Sequence, residues 1–282
     1  MRIGHYHLTT IETGEFALDG GAMFGVVPKT LWQRELPADD RNRVRLALRA
    51  LLLEEVDGPA RILIDTGVGE KWPAKLADVF GVDHTRLSLE AGLATRGLTP
   101  GDITHVLLTH LHFDHAGGAT IRRDGELVPA FENARYFVQR RNLEWAQAPS
   151  ERDRASYREE NFEPLLRCGV LELLDGAGTW MDGIDLVLSH GHTEAMQLPV
   201  ISGPEAKLVY CADLIPTAAH VRAPWVMGYD NHPVVTVEEK NELLARGCRE
   251  GWLFFFEHDP EGPAATIRST EKGFAIDRRM TL

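Results

Sequence analysis

Four side chains able to bind metal crowd into six residues of this sequence, His110-Leu111-His112-Phe113-Asp114-His115. His110 and His112 stand two apart, so on an extended backbone they project to the same side and can grip one ion. Asp114 and His115 follow the interruption at Phe113, where a turn would aim them at a second ion close by. Three neutral imidazoles and a carboxylate make a borderline-soft donor set, suited to Zn²⁺ and accepting Mn, Fe or Co. Ala116-Gly117-Gly118 closes the segment with small residues, which lets the backbone pass close to the site. Histidines that merely cap backbone groups would account for one such residue, but hardly for three with an aspartate.

Ligands at fixed geometry need rigid supports, and the apolar runs provide them. Residues 61–67, 103–109, 207–213 and 252–256 read as buried strands. Each delivers a polar residue at its end, namely Asp65, His110, Asp213 and His258, so one rim of a sheet would carry the site. Residues 45–54 read as a further strand facing 61–67 across the turn Asp57-Gly58-Pro59. Shorter strands are expected at 2–8, 134–138 and 184–189, with 9–14 turning out of the first. Residues 19–40 read as irregular, 70–92 and 139–167 as helical, and 266–277 as a closing hairpin. A helix over 236–249 would have Thr236 as N-cap and Glu239 as its capping-box partner. With no repeat, low-complexity tract or linker, one domain over residues 1–282 is the simplest organisation.

Composition removes whole classes of function. Thirty Lys and Arg stand against forty-two Asp and Glu, a net charge of −12, which disfavours gripping nucleic-acid phosphates or an anionic membrane. The 44% hydrophobic content supports a large core and excludes intrinsic disorder. No apolar run approaches the ~18 residues of a membrane span. The opening residues 1–7 lack the apolar stretch of a signal peptide, so the expectation is a soluble, cytoplasmic protein. Cys168, Cys211 and Cys248 have no CxxC spacing and read as reduced thiols. Neither a GxGxxG after a strand nor a P-loop is present, so no organic cofactor is expected.

The run Thr109-His110-Leu111-His112-Phe113-Asp114-His115-Ala116-Gly117-Gly118 resembles the HxHxDH signature of the metallo-β-lactamase superfamily. Ser189-His190-Gly191-His192-Thr193, Ala212-Asp213 and Glu257-His258-Asp259 follow in that family's order, and Asp65-Thr66-Gly67 matches a recurrent strand-end motif. The likeness covers about residues 20–275. It implies an α/β fold, the αββα sandwich of two mixed β-sheets flanked by helices, with two metal ions at one rim. One ion would go to His110, His112 and His192, the other to Asp114, His115 and His258, with Asp213 bridging both. His192 is preferred to His190 because the family's ligand immediately precedes Thr; His190 would be a neighbour. Taken alone, Asp213 could be a helix N-cap and His258 a core histidine. Asp65 would orient a ligand rather than bind metal. His5, His7, His84, His105, His220 and His232 show no ligand pattern, although His220 and His232 flank a loop that would overhang the pocket.

The chemistry implied is hydrolysis. Two ions sharing a carboxylate share a water whose pKa falls from 15.7 toward about 7, and the bridging hydroxide attacks a carbonyl or phosphoryl centre. Asp114 would be the catalytic proton shuttle to the leaving group. Among the superfamily's branches, the lactonases and the esterases similar to methyl parathion hydrolase fit best, so a lactone, an ester or a phosphotriester is expected. There residues 19–40 would lie beside the pocket, with Phe24, Leu31 and Trp32 as candidates for an apolar wall and Trp225, Met227 and Tyr229, in the loop after Asp213, as similar candidates. Core packing is the competing reading for these residues. Flavin-linked di-iron relatives have Glu where His112 stands, and nucleases need basic surfaces. A glyoxalase II-like thioesterase needs a basic helical segment, yet only 24 residues follow His258. A persulfide dioxygenase would use a single iron. Many acyl-homoserine lactonases carry Tyr three residues after the bridging aspartate. Here Pro216 stands there, and His192-Thr193-Glu194-Ala195-Met196 replaces the common His-Thr-Pro-Gly-His. The expectation is therefore general lactone or ester hydrolysis of a small molecule, with a homodimer admitted by the resemblance.

Overall fold

The apolar runs build two mixed seven-stranded sheets in a computed structural model that describes residues 1–282. In the first sheet the spatial order follows the chain: Arg2–Ile3, Tyr6–Asp19, Arg43–Glu55, Arg61–Ile64, His105–Leu107, Arg135–Gln139 and Leu171–Leu174. Arg43–Glu55 and Arg61–Ile64 form the expected antiparallel pair, with Leu51 opposite Ile64. The next three pairings are parallel and place Ile62 beside His105, His105 beside Arg135 and Tyr136 beside Leu171. Parallel strands of this kind are covered on both faces and read as continuous apolar runs. Accordingly Ile62, Leu63, Ile64, Val106 and Leu107 have no exposed surface.

The second sheet runs Gly178–Met181, Ile184–Ser189, Met196–Ser202, Lys207–Tyr210, Leu253–Phe255, Ala264–Thr270 and Gly273–Met280. Its pairings are antiparallel except one: Lys207–Tyr210 lies parallel to Leu253–Phe255, with Val209 opposite Phe254. A parallel neighbour needs a crossover, and the helix Pro233–Glu250 lies within it. Mixed sheets with helices are the architecture expected from the sequence.

The chain divides into two compact units, residues 1–15 with 48–176 and residues 16–47 with 177–282. The first has its core around Leu52, Leu63, Val106, Leu108, Phe131, Tyr136 and Phe162. Its helix Arg140–Gln147 buries Leu143 and Ala146, and the Asn142 carboxamide accepts a hydrogen bond from the Leu111 N–H at 3.0 Å. In the second, the helix Pro233–Glu250 buries Leu243 and Leu244 and ends at Gly251, whose left-handed φ of 69° suits a C-cap. No helix is long and apolar enough to cross a membrane.

Several local expectations are corrected. The strand Tyr6–Asp19 continues through the segment expected to turn, because Ile11, Phe16 and Leu18 are buried along its length. Residues 19–40 are not wholly irregular: Asp19 caps the short helix Gly20–Phe24 through the Ala22 N–H, and Lys29–Trp32 forms another. The long helix starts at Pro233, not Thr236, since proline's fixed φ suits a first turn. Met196–Ser202 escapes the sequence reading, with Pro199 breaking its strand pattern although it is buried almost throughout.

Gly117 and Gly118, expected to let the backbone pass close to the site, let it pass close to another stretch of backbone instead. A Cβ on Gly117 would stand 2.1 Å from the Val68 carbonyl oxygen, and one on Gly118 would stand 2.3 Å from that of Thr66. Gly117→Ala should therefore destabilise the protein by about 1–3 kcal/mol, read as a lower midpoint in urea unfolding. An unchanged midpoint would show that the two backbones separate without penalty.

Candidate metal centre

In the first unit the strand His105–Leu107 leads through buried Leu108 and Thr109 to His110. His112 then precedes a single helical turn, Phe113–Ala116, which carries Asp114 and His115. All four donors are buried. The His110 ring centroid lies 4.5 Å from that of His112 and 4.0 Å from that of His115, and His115 Nε2 is 3.9 Å from an Asp114 oxygen. The extended stretch and following turn inferred from the sequence are both present.

Asp65 organises this cluster. It follows Arg61–Ile64 in a left-handed conformation, φ 58°, that is unfavourable for a non-glycine residue. One carboxylate oxygen accepts from the Thr109 N–H at 2.7 Å. The other accepts from the Thr109 hydroxyl at 2.7 Å and faces His115 Nδ1 at 3.0 Å. With its hydroxyl hydrogen given to Asp65, Thr109 can only accept from His110 Nδ1, 3.0 Å away. Protons on both Nδ1 atoms leave the Nε2 lone pairs for a cation.

The second unit repeats the device. Asp213 sits in the one-turn Ala212–Leu214 just beyond the strand Lys207–Tyr210, and its side chain caps no helix. One of its oxygens is 3.1 Å from His192 Nε2 and the other 3.3 Å from His258 Nε2. Behind the rings, His192 Nδ1 donates to Asp230 at 2.9 Å and His258 Nδ1 donates to the Ala47 carbonyl at 2.9 Å. Burial pushes His192 down, but Asp213 and Asp230 outweigh it and hold the imidazole up at about 9. Such surplus negative charge around a buried ring favours a cation. Ala212, before Asp213, takes a strained positive φ of 42°.

His190 makes a different set of contacts, pairing with Glu194 at 3.1 Å while its N–H donates to Glu239. Glu239 is not a capping-box partner. Its carboxylate accepts from the Ser189 hydroxyl at 2.6 Å, the His190 N–H at 2.8 Å and the Gly191 N–H at 3.1 Å, holding the segment that presents His192. Gly191 is needed there, since a Cβ would stand 2.4 Å from the Thr236 nitrogen. Neither Glu239 nor Asp230 announces itself in the sequence: they lie 47 and 38 residues from His192, with no motif connecting them.

The proposed apolar wall needs correction. Phe24 is fully buried, stacked between Trp32 at 5.2 Å and His220 at 4.8 Å, with Trp225 edge-on at 5.6 Å. Phe24 and Trp32 thus go into packing and present no open face. Leu31 is 46% exposed, Met227 is buried and Tyr229 is half-buried. His220 belongs to the same packing: its Nε2–H donates to the Met23 carbonyl at 2.8 Å, its Nδ1 faces the Thr217 hydroxyl at 2.8 Å, and burial lowers it to about 4.

Buried imidazoles with their Nδ1 atoms tied back, together with Asp114 and Asp213, fit divalent cations by donor chemistry. The family model of the metallo-beta-lactamase superfamily matches residues 50–258. An N-acyl homoserine lactonase of Bacillus cereus is 30% identical over 236 residues, covering 78% of this chain and 84% of that protein. The structure of a probable metal-dependent hydrolase from Staphylococcus aureus superposes over the full length of both chains at 31% identity and a TM-score of 0.88. AidC, a dizinc quorum-quenching lactonase, shares the fold at 20% identity, with a TM-score of 0.81 over 100% of this chain and 97% of its own.

Asp65 should matter without touching metal. Asp65→Asn is expected to lower zinc affinity 10–100-fold in chelator competition, because it disturbs the proton on His115 Nδ1. Wild-type affinity in that variant would deny Asp65 an orienting role.

Proposed function

The chain belongs to the metallo-beta-lactamase superfamily and is a metal-dependent hydrolase, and on that premise we propose that it cleaves lactones or related esters at a pair of divalent cations. In this reading His110, His112, His192 and Asp213 hold one ion, and Asp114, His115, His258 and Asp213 hold the other. The observation that carries it is Asp213, whose two oxygens stand 3.1 and 3.3 Å from two different imidazole nitrogens, as a bridging carboxylate requires. The dizinc lactonase that shares the fold favours Zn²⁺ over Mn, Fe or Co.

Bound there, two such cations supply Lewis acidity toward a carbonyl or phosphoryl oxygen and a water acidified toward a pKa of about 7. The chain's own part is to hold the geometry and move protons. Thr109, Asp65, Asp230 and the Ala47 carbonyl keep the imidazole rings from turning. Asp114, buried beside His115, takes the proton of the attacking water and passes it to the oxygen released when the acyl C–O bond breaks. The lactonase relatives support a small-molecule lactone. Pro216, three residues past Asp213, brings no hydroxyl to the carbonyl, so the substrate class proposed is lactones and esters at large, with phosphotriesters as a neighbouring class.

Metal analysis of the zinc-reconstituted protein is expected to give about two ions per chain, and fewer than about one would sink the dinuclear reading. Across a panel of lactones, aryl esters and phosphotriesters, His112→Ala and Asp213→Ala should abolish turnover and lower metal content. His84→Ala, whose imidazole meets only the Gly69 carbonyl among its hydrogen-bond partners, should do neither. Turnover of no member of the panel would remove the substrate class.

A further inference from the structure

The helix Pro233–Glu250 turns two adjacent residues of opposite charge toward the two segments that hold His192. Glu239 takes the donors of residues 189–191, as described above. Lys240, fully buried, donates from Nζ to the carbonyl oxygens of Trp225 at 2.7 Å and Arg222 at 3.2 Å. The segment pinned by these bonds continues through Met227, whose N–H donates to Asp230 at 3.0 Å, to the second Asp230 oxygen on His192 Nδ1. The chain then closes on itself, with Asn231 N–H donating to the His192 carbonyl at 3.1 Å and His232 N–H to that of Gly191 at 2.8 Å.

A buried ammonium is tolerated only when its protons find acceptors, and here both named acceptors lie on one loop. Burial pushes Lys240 down to about 7, against the opposing charge of Asp230. The hydrolytic chemistry has no use for this amine. We propose that Lys240 is a positioning residue for His192: by pinning the carbonyls of Arg222 and Trp225 it sets the 222–230 segment so that Asp230 stays on Nδ1 and Nε2 keeps facing the cation. The segment leading to His192 is held from Glu239 and the ring of His192 from Lys240, through one turn of one helix. The inference rests on the dinuclear reading above, in which His192 is a ligand.

The test is a double-mutant cycle read by zinc affinity in chelator competition, using wild type, Lys240→Met, Asp230→Asn and the double variant. Each single change should weaken one of the two ions 10–100-fold. The double variant should be no more than about twofold weaker than Asp230→Asn alone, because both act through the same bond to His192. A merely structural lysine would instead give losses that multiply, and that result overturns the proposal, as does wild-type affinity in Lys240→Met. Should Lys240→Met fail to fold by circular dichroism, Lys240→Gln keeps one donor and is expected to lose affinity to an intermediate extent; wild-type affinity there overturns the proposal equally. Wild-type protein that holds fewer than about one ion per chain removes the dinuclear reading itself, and the role of Lys240 with it.

Discussion

An imidazole can serve a cation through Nε2 only if its other nitrogen carries the proton and has somewhere to put it. Four of the histidines meet that condition, and the acceptors are of three kinds: the Thr109 hydroxyl for His110, carboxylates for His115 and His192, and a main-chain carbonyl for His258. These rings are buried away from bulk water, and the fold provides an acceptor for each. Much of the surrounding architecture follows from this constraint. Asp65 holds a left-handed backbone so that one carboxylate can meet both Thr109 and His115, and Ala212 is strained where the chain turns to present Asp213.

The acidic character of the chain gains a specific meaning in this light. A net charge of −12 counts, among its carboxylates, Asp65, Asp114, Asp213, Asp230 and Glu257, all buried. Carboxylates withdrawn from water are unfavourable unless a positive charge or several donors compensate them. Divalent cations held there would offset several at once and would couple folding stability to metal loading. Asp230 in turn favours the charged form of the buried Lys240, against the effect of burial.

The histidine motif and the strand ends were legible in the sequence because both are local. His110, His112, Asp114 and His115 are neighbours on the chain, and continuous apolar runs such as 61–64 and 105–107 signal buried strands wherever they occur. What escaped was non-local or decided by packing. Thr236 and Glu239 have the spacing of a capping box, yet Glu239 is claimed by donors 48–50 residues away, a competition no local rule registers. Asp230 is an acidic residue in an irregular loop until His192 is brought against it. Phe24 and Trp32 have the composition of a substrate wall or a core equally well, and only the stack with His220 chooses between them.

The single parallel pairing of the second sheet has one more consequence. Asp213 and His258 emerge past the same ends of neighbouring strands, and those strands become neighbours only after the intervening helix has crossed over between them. Their approach is thus bought with long-range chain closure, which is slow and comes late in folding. The donors these two strands carry are therefore scattered along the nascent polypeptide and come together only once the crossover has closed.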